Sequence, residues 1–489
     1  MASTQVIDLE GRTVLPGLID GTLHGLRNGY ACFSQQVRHD TVFSRQDALN
    51  AYAAKAKELG SGVWIYTQGG FNIAQFDKPG MFTLAELDAA MPDNPAFIAL
   101  AGGFSGTQLN SRALKALGVA DDKPTNGEVT VGVDANTKKL TGVMTAGRNA
   151  LNKLVGFADY SLDKQVKCFT DFFRDANKRG LTGWSDPGGN DPFDYEGRII
   201  ETFRDNHSYQ AVNSIWRQGK MPVRVVYHLT SYAGLPNVAR DLNSPVSQLG
   251  DDYLRLGGIG EEVFASVPAD NIYPVAEYQK IVDLIAQNRW QLEHHSTAEI
   301  TNVTMMNAWE AANAKWPITD LNWGILHPNN PSVETLARLK KLNAYISPTD
   351  SSSLSPSPTT FRPYRRIYDS GVRMCLGSDA MNVAPYPPFV NLWYVTTGLS
   401  HVPNVVGTPA DQRLNRTEAL RSMTTHCADE LFLANKIGSL QSGYYADLIV
   451  LSDDYFTVPD AKIVNITSVM TMIGGKVVYG EGKFASLVK

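Results

Sequence analysis

Four side chains in this sequence stand where strand-like runs end, and all four can bind a metal or move a proton. His24 follows "VLPGLIDGTL", His295 closes "WQLEHH", His327 follows "LNWGIL" and Asp379 closes "VRMCLGSD". Neutral imidazoles and a carboxylate suit zinc or a similar borderline metal. If the four strands lie parallel in one barrel, their C-terminal ends open on one face and these groups converge there. The stretch Asp20-Gly21-Thr22-Leu23-His24 raises a question. Thr22 and His24 share a strand face by two-residue alternation. A metal site on this strand would be served by histidine at both positions, and a threonine oxygen is a poor zinc ligand beside imidazole. Other histidines carry less: His39, His207, His401 and His426 read as satisfied polar or surface residues, and His294 faces away from His295.

The elements that would position these residues alternate. "GVWIYTQGG", "AFIALAGG", "GLTGWSDPGG", "PVRVVYHLT", "WQLEHHST", "WGILHP", "AYISP" and "VRMCLGSDA" read as strands ending in polar or glycine-rich loops. Between them lie helical patterns such as "SRQDALNAYAAKAKELG", capped by Ser44 and stopped at Gly60, and "LDKQVKCFTDFFRDANKRG". Such alternation predicts parallel strands with crossover helices, an α/β fold of the (β/α)8 TIM-like barrel type. Near the C-terminus "GYYADLIVLSDDYFTVP" and "ITSVMTMIGGKVVYGEGKF" carry strand and hairpin signals, the second turning at Gly474-Gly475. The domain reading is a barrel over 17–429 with insertions, and a small β-sandwich subdomain from 1–16 and 430–489. The Ser/Pro-rich "SPTDSSSLSPSPTTFRP" follows a strand and is expected to lie over the barrel mouth.

Composition narrows the class. The chain has 489 residues, 43% apolar and 19% charged, with a net charge of −5 and no long charge runs. That profile is globular and gives no reason to expect nucleic acid or a membrane surface as partner. Cys32, Cys168, Cys375 and Cys427 lie far apart without CxxC spacing, so free buried thiols and a cytoplasmic setting are expected. The opening "MASTQVIDLEGR" is too polar for a signal peptide.

Taken in order, these motifs resemble the metal-dependent amidohydrolase superfamily, and within it the branch of N-substituted formamide deformylases and exoenzyme-regulatory amidohydrolases. "VIDLEGRTVLPGLID" resembles the family's lead into the barrel, and "LHGLRNGY" its His-x-x-Arg-Gly-Gly continuation. "LNSRAL", "GLTGWSDPGG", "LGGIGEEV", "HSTAEIT", "WGILHPNNPSVETLARLKKL", "LGSDA" and "GSLQSGYYADLIVLSDD" have counterparts in the same order. Two departures stand out. Thr22 replaces the first histidine of the family's Asp-x-His-x-His, and "RLGGIGEEV" offers Glu261 where many relatives carry a bridging lysine.

The resemblance implies a hydrolase of non-peptide C–N bonds, of the N-acyl or N-formyl amide type, working through a metal-activated water. It implies one divalent metal, zinc first with manganese or iron as alternatives, on Glu261, His295 and His327. Asp379 would carry the proton, and His24 would be a ligand or a donor to the substrate carbonyl. Arg27, Trp184 and Asp186 are expected at the mouth as substrate contacts. The alternative is an inactive relative that binds a small molecule or a partner chain. The first 16 residues look short for the family, so the expectation is either a truncated start or a sheet edge that a homodimer partner covers.

Overall fold

Strand Leu18–Asp20 opens an eight-stranded parallel sheet that is completed only after residue 180. The other members follow in chain order: Leu181–Asp186, Arg224–Leu229, Leu254–Ile259, Gln291–His295, Gly324–Leu326, Tyr345–Ser347 and Arg373–Met374. They are called the first to eighth barrel strands below. The sheet curls until its edges meet: Gly21 N donates to Leu376 O, Asp379 N to Thr22 O and His24 N to Ala380 O. The computed structural model describes residues 6–101, 106–146, 160–188, 207–230, 234–243, 248–264, 274–349, 351–357, 361–381 and 383–488.

Helices cover the outer face as the apolar spacing predicts. Leu162–Lys178 buries Cys168, Phe169, Phe172, Phe173 and Ala176, and Glu299–Asn313 buries Met305, Met306 and Trp309. Helix Arg45–Leu59 begins as read, with the Ser44 side chain accepting from Asp47 N, and ends at Gly60 with φ +79°. The fourth barrel strand escaped the reading of strands because "LRLGGI" is poor in β-formers. Its glycines are required by contact: a Cβ on Gly258 would stand 2.0 Å from Gln291 O.

Two strand-like runs lie elsewhere than expected. "GVWIYTQGG" and "AFIALAGG" supply Ile65–Gln68 and Ala96–Ala99, which pair with each other outside the barrel. With Gln108–Leu109, Leu140–Ala146 and Thr130–Val133 they form a separate five-stranded sheet, inserted between the first and second barrel strands. The lobe has its own core, with Tyr52, Ile65, Phe71, Phe76, Phe82 and Ile98 buried together.

The chain ends build one antiparallel sheet, in the order Val14–Pro16, Leu448–Leu451, Ser468–Ile473, Lys476–Gly480. Gly474 and Gly475 make its hairpin turn at φ +56° and +78°. The expected sandwich is not what the described residues form. Ile449 and Leu451 pack toward the barrel, while the opposite face is covered by Phe484, Ile7 and Leu9 rather than by a second sheet. Arg224 of the third barrel strand fastens this sheet through a two-pronged pair with Asp447, its guanidinium lying between the Tyr253 and Tyr445 rings.

The cysteine expectation is also corrected. Cys32 bonds Cys168 and Cys375 bonds Cys427, so the described chain has no free thiol. Sequence distance hid the pairs, since one joins the segment after the first barrel strand to helix Leu162–Lys178 and the other joins the eighth strand to Thr425–Ala428. Disulfides persist in oxidising compartments, so the cytoplasmic expectation loses its cysteine argument. No described helix is long and apolar enough to cross a membrane.

His39 generates a test of the inserted lobe. It is fully buried, its ring nitrogens have no hydrogen-bond partner among the described residues, and the rings of Tyr52, Phe71 and Phe76 meet it edge-on. Burial pushes its pKa down to about 3. Between that value and the ordinary value near 6.5 the unfolded chain binds a proton that the native state refuses, so native stability falls as pH falls. The loss is about 1.4 kcal/mol per pH unit below ~6.5. His39→Phe removes this term, and urea unfolding at pH 7 and pH 5 should show a smaller acid loss than in the parent. Equal losses would mean that His39 is protonated in the native lobe.

Candidate metal centre

Each residue of the centre is delivered by the C-terminal end of a barrel strand. His24 follows the first, Glu261 the fourth, His295 ends the fifth, His327 follows the sixth and Asp379 lies past the eighth. His327 and Asp379 adopt φ +64° and +54°, a region that non-glycine residues rarely enter. Backbone strain of this kind concentrates at functional sites and persists only where neighbours over-determine it. Here His327 N donates to Ser347 O, and Asp379 N to Thr22 O at 2.6 Å.

Glu261 is the centre of the cluster, and its two oxygens face different partners. Oε2 lies 2.8 Å from His327 Nε2 and 3.3 Å from His295 Nδ1. Oε1 lies 3.4 Å from His24 Nε2, which is also 3.4 Å from Asp379 Oδ1. Asp379 Oδ2 stands 3.5 Å from His327 Nδ1. His24 Nδ1 meets Gly188 O at 2.9 Å, so in the neutral ring the proton sits on Nδ1 and the Nε2 lone pair faces the cluster.

Burial and partners set the charges. Burial opposes ionisation of Glu261, but bonds from His24, His295 and His327 outweigh it and hold the carboxyl well below the usual range. Burial and the nearby Arg27 oppose a charge on His24, yet Asp379 and Glu261 push it up to about 10. His295 rises against burial to about 9, chiefly through Glu261. Protonated imidazoles thus offset the part-buried carboxylates, a charge balance that a divalent cation on the same donors would also supply. One donor atom each from Glu261, His295 and His327 lie within 4.8 Å of one another. Two imidazoles and a carboxylate that leave a fourth position open match the donor pattern of a catalytic metal site. The residues present therefore fit a divalent metal.

The sequence-predicted residues divide. His24, Glu261, His295, His327 and Asp379 come together. Arg27, on helix Gly25–Tyr30, is buried close enough for its charge to act on both His24 and Asp186. Trp184 is not at the mouth. It points outward from the second strand, fully buried against Phe172, Phe173 and Gly25. Asp186 is also fully buried, and its carboxylate accepts from Leu26 N and Gly188 N, which fixes the start of the helix after His24. Period two explains the miss: Ser185 takes the inward position and bonds Glu293. His294 points outward, edge-on to Tyr278, as read.

Three contributors were not singled out from sequence. Glu262 Oε1 lies 3.9 Å from His295 Nδ1, and its carboxyl is pushed up to about 8 by burial and by Glu261. Asp20 Oδ1 accepts from both Thr22 N and Ser378 N, bracing the first strand against the residue before Asp379. Arg38 anchors Met381. The doubled acid of "GEEV" and the aspartate of "IDGT" were visible as types, but no spacing rule pointed to these roles.

The Ser/Pro-rich segment leaves the same end of the seventh strand. Ser353 and Leu354 are buried, Ser353 O accepts from His401 N, and Ser352 Oγ bonds Arg362 and Tyr394. Its residues 350 and 358–360 lie outside the described residues.

Comparison with known proteins agrees with this architecture. The chain is 23% identical to the putative amidohydrolase YtcJ of Bacillus subtilis (strain 168), over 97% of this chain and 90% of that protein. It is 21% identical to the N-substituted formamide deformylase of Arthrobacter pascens, again over 97% and 90%. An uncharacterised metal-dependent hydrolase from Pyrococcus horikoshii OT3 shares the fold with a TM-score of 0.60, at 18% identity over 93% of this chain and 89% of that one. The model of the amidohydrolase family matches residues 5–479. A match of that length spans all but the last residue of the terminal sheet, the inserted lobe and every barrel strand, and the chain belongs to the amidohydrolase family.

Proposed function

We propose that the protein is a metal-dependent hydrolase of non-peptide C–N bonds, with N-acyl or N-formyl amines as its substrate class. The observation that carries this reading is the division of the Glu261 carboxylate, Oε2 toward His295 and His327 and Oε1 toward His24 beside Asp379. A divalent metal on Glu261, His295 and His327 would supply a Lewis acid and a water of lowered pKa. One ion, zinc first with manganese or iron as alternatives, suits three donors of these types.

The chain's own residues supply the rest. Asp379 stands between His24 and His327, where its carboxylate can take a proton from the attacking water and pass it to the departing nitrogen. In its protonated form His24 carries a proton on Nε2, and this N–H can donate a hydrogen bond where negative charge develops on the substrate oxygen. Arg27 adds positive charge beside His24 and suits a substrate that carries a carboxylate. The formamide deformylase among the relatives supports the formyl amide class. The second reading is a family member that binds a small molecule without hydrolysis. Thr22 favours it, because its hydroxyl is bonded to Ser347 Oγ and Gly21 O, and the first strand brings one imidazole where the family pattern has two.

Two substitutions test the roles. Asp379→Asn keeps the shape but cannot take a proton. Formate release from an N-aryl formamide such as formanilide should fall by about 10²–10⁴, with metal per chain, by elemental analysis, unchanged. Loss of metal in step with activity would make Asp379 a ligand. Glu261→Gln replaces the carboxylate that faces all three imidazoles with a neutral, weaker metal ligand, so metal content should drop well below that of the parent at matched exposure. Parental content in that variant would remove Glu261 from the ligand set. A metal-loaded parent that turns over no member of a formamide and acetamide panel would favour the binding reading.

A further inference from the structure

Arg38 lies in the segment between helix Gly25–Tyr30 and the inserted lobe, with its side chain only 7% exposed. Nε and Nη2 clasp the Asp40 carboxylate at 3.0 and 2.5 Å. Nη1 donates to two carbonyls that belong to distant parts of the chain, Gln68 O of the inserted sheet at 3.2 Å and Met381 O at 3.1 Å. Met381 is two residues past Asp379. The fit around the guanidinium is close: a Cβ on Gly70 would stand 2.0 Å from Nη2, and the Tyr386 ring lies 5.8 Å from Cζ. Asp40 extends the link, since its backbone oxygen accepts from His401 Nε2 and His401 N donates to Ser353 O.

We infer that Arg38 is a positioning residue for Asp379, tying the backbone beyond the carboxylate to the inserted sheet and so fixing where that carboxylate stands; its catalytic consequence rests on the role proposed above for Asp379. Asp379 holds a left-handed φ, which must be imposed from both sides. Upstream, Asp20 accepts from Ser378 N. Downstream, Ala380 O accepts from His24 N, and Met381 O accepts from Arg38. Without the downstream tie the carboxylate can drift, and displacement of about 1 Å at a reacting group costs ~10²-fold in rate. The residue type follows from the task. A planar fork can hold a carboxylate on one edge and two carbonyls on another nitrogen, whereas an ammonium is a point charge that cannot span them. The pair with Asp40 keeps the buried cation neutralised. The inserted lobe thereby gains a part in the centre although, among the described residues, it contributes none of the donors.

The test uses Arg38→Lys, which keeps the charge opposite Asp40 and loses the fork. In the metal-loaded protein, with formanilide as probe, kcat should fall about 10- to 100-fold while KM stays within about twofold and metal content is unchanged. In Arg38→Ala, added guanidinium chloride at millimolar concentration should restore part of kcat. Hydrogen–deuterium exchange should quicken at the amides of 378–386 in Arg38→Lys and remain parental in helix Glu299–Asn313. An unchanged kcat, or a drop in metal content matching the drop in rate, overturns the inference. If the metal-loaded parent turns over no member of the formamide and acetamide panel, the proposed function fails and exchange decides alone: faster exchange at 378–386 supports the tie, and parental exchange overturns it.

Discussion

A single part-buried carboxylate organises the barrel mouth. Glu261 lies among three imidazoles drawn from the first, fifth and sixth strands, and no one of those strands could hold it in place. A buried charge without partners costs several kcal/mol. The same charge shared between two faces of a cluster becomes the reason for four strands to end in register. The barrel must close for His24 to reach Oε1, and the fourth strand must end at Ile259 for Glu261 to turn inward. The geometry of the centre and the closure of the sheet are one constraint.

That constraint is supported from below. Glu293 lies two residues before His295 on the same inward face, and it accepts hydrogen bonds from Ser185 and Tyr345. Its other oxygen is 3.3 Å from His228 Nδ1. This polar layer sits in the barrel interior where a TIM-like barrel more often stacks aliphatic side chains. Gly324 makes the layer fit, because any Cβ there would enter the Tyr345 ring. Burial raises the Glu293 carboxyl above its ordinary range, which favours hydrogen bonding over free charge in this layer. The histidines of the cluster therefore rest on a floor whose hydrogen bonds join the second, third, fifth and seventh strands.

Much of this was legible in the sequence. Four of the five cluster residues, His24, His295, His327 and Asp379, each follow a strand-like run, while Glu261 was reached only through the family resemblance; period two separates His295 from His294. The helices were readable from apolar spacing and caps, as Ser44 and Gly60 show. What was not legible is long-range pairing. "GVWIYTQGG" has the composition of a barrel strand, and only its partner, Ala96–Ala99, assigns it to another sheet. The same holds for Cys32 and Cys168, 136 residues apart, which meet because the first helix packs on Leu162–Lys178. Trp184 failed for a local reason. Its strand end was correctly located, but its face was not, because Asp186 beyond it turns to cap a helix rather than to meet solvent.

Thr22 shows how far the family pattern has been rebuilt here. A histidine at this position would be expected to face the metal, but the threonine does not leave a gap in its place. Its hydroxyl is 2.7 Å from Ser347 Oγ and 2.7 Å from Gly21 O, and a Cβ on Gly377 would stand 2.8 Å from Thr22 Cβ. The first, seventh and eighth strands have closed around a small side chain. An imidazole would overfill this space, at a cost of about 1–3 kcal/mol, unless Ser347 changed with it. Residues in contact couple in this way, so the two positions act as one unit. The first strand is therefore committed by packing to one imidazole. His24 can then serve Glu261 and Asp379 together, as the one imidazole that the first strand brings to the cluster.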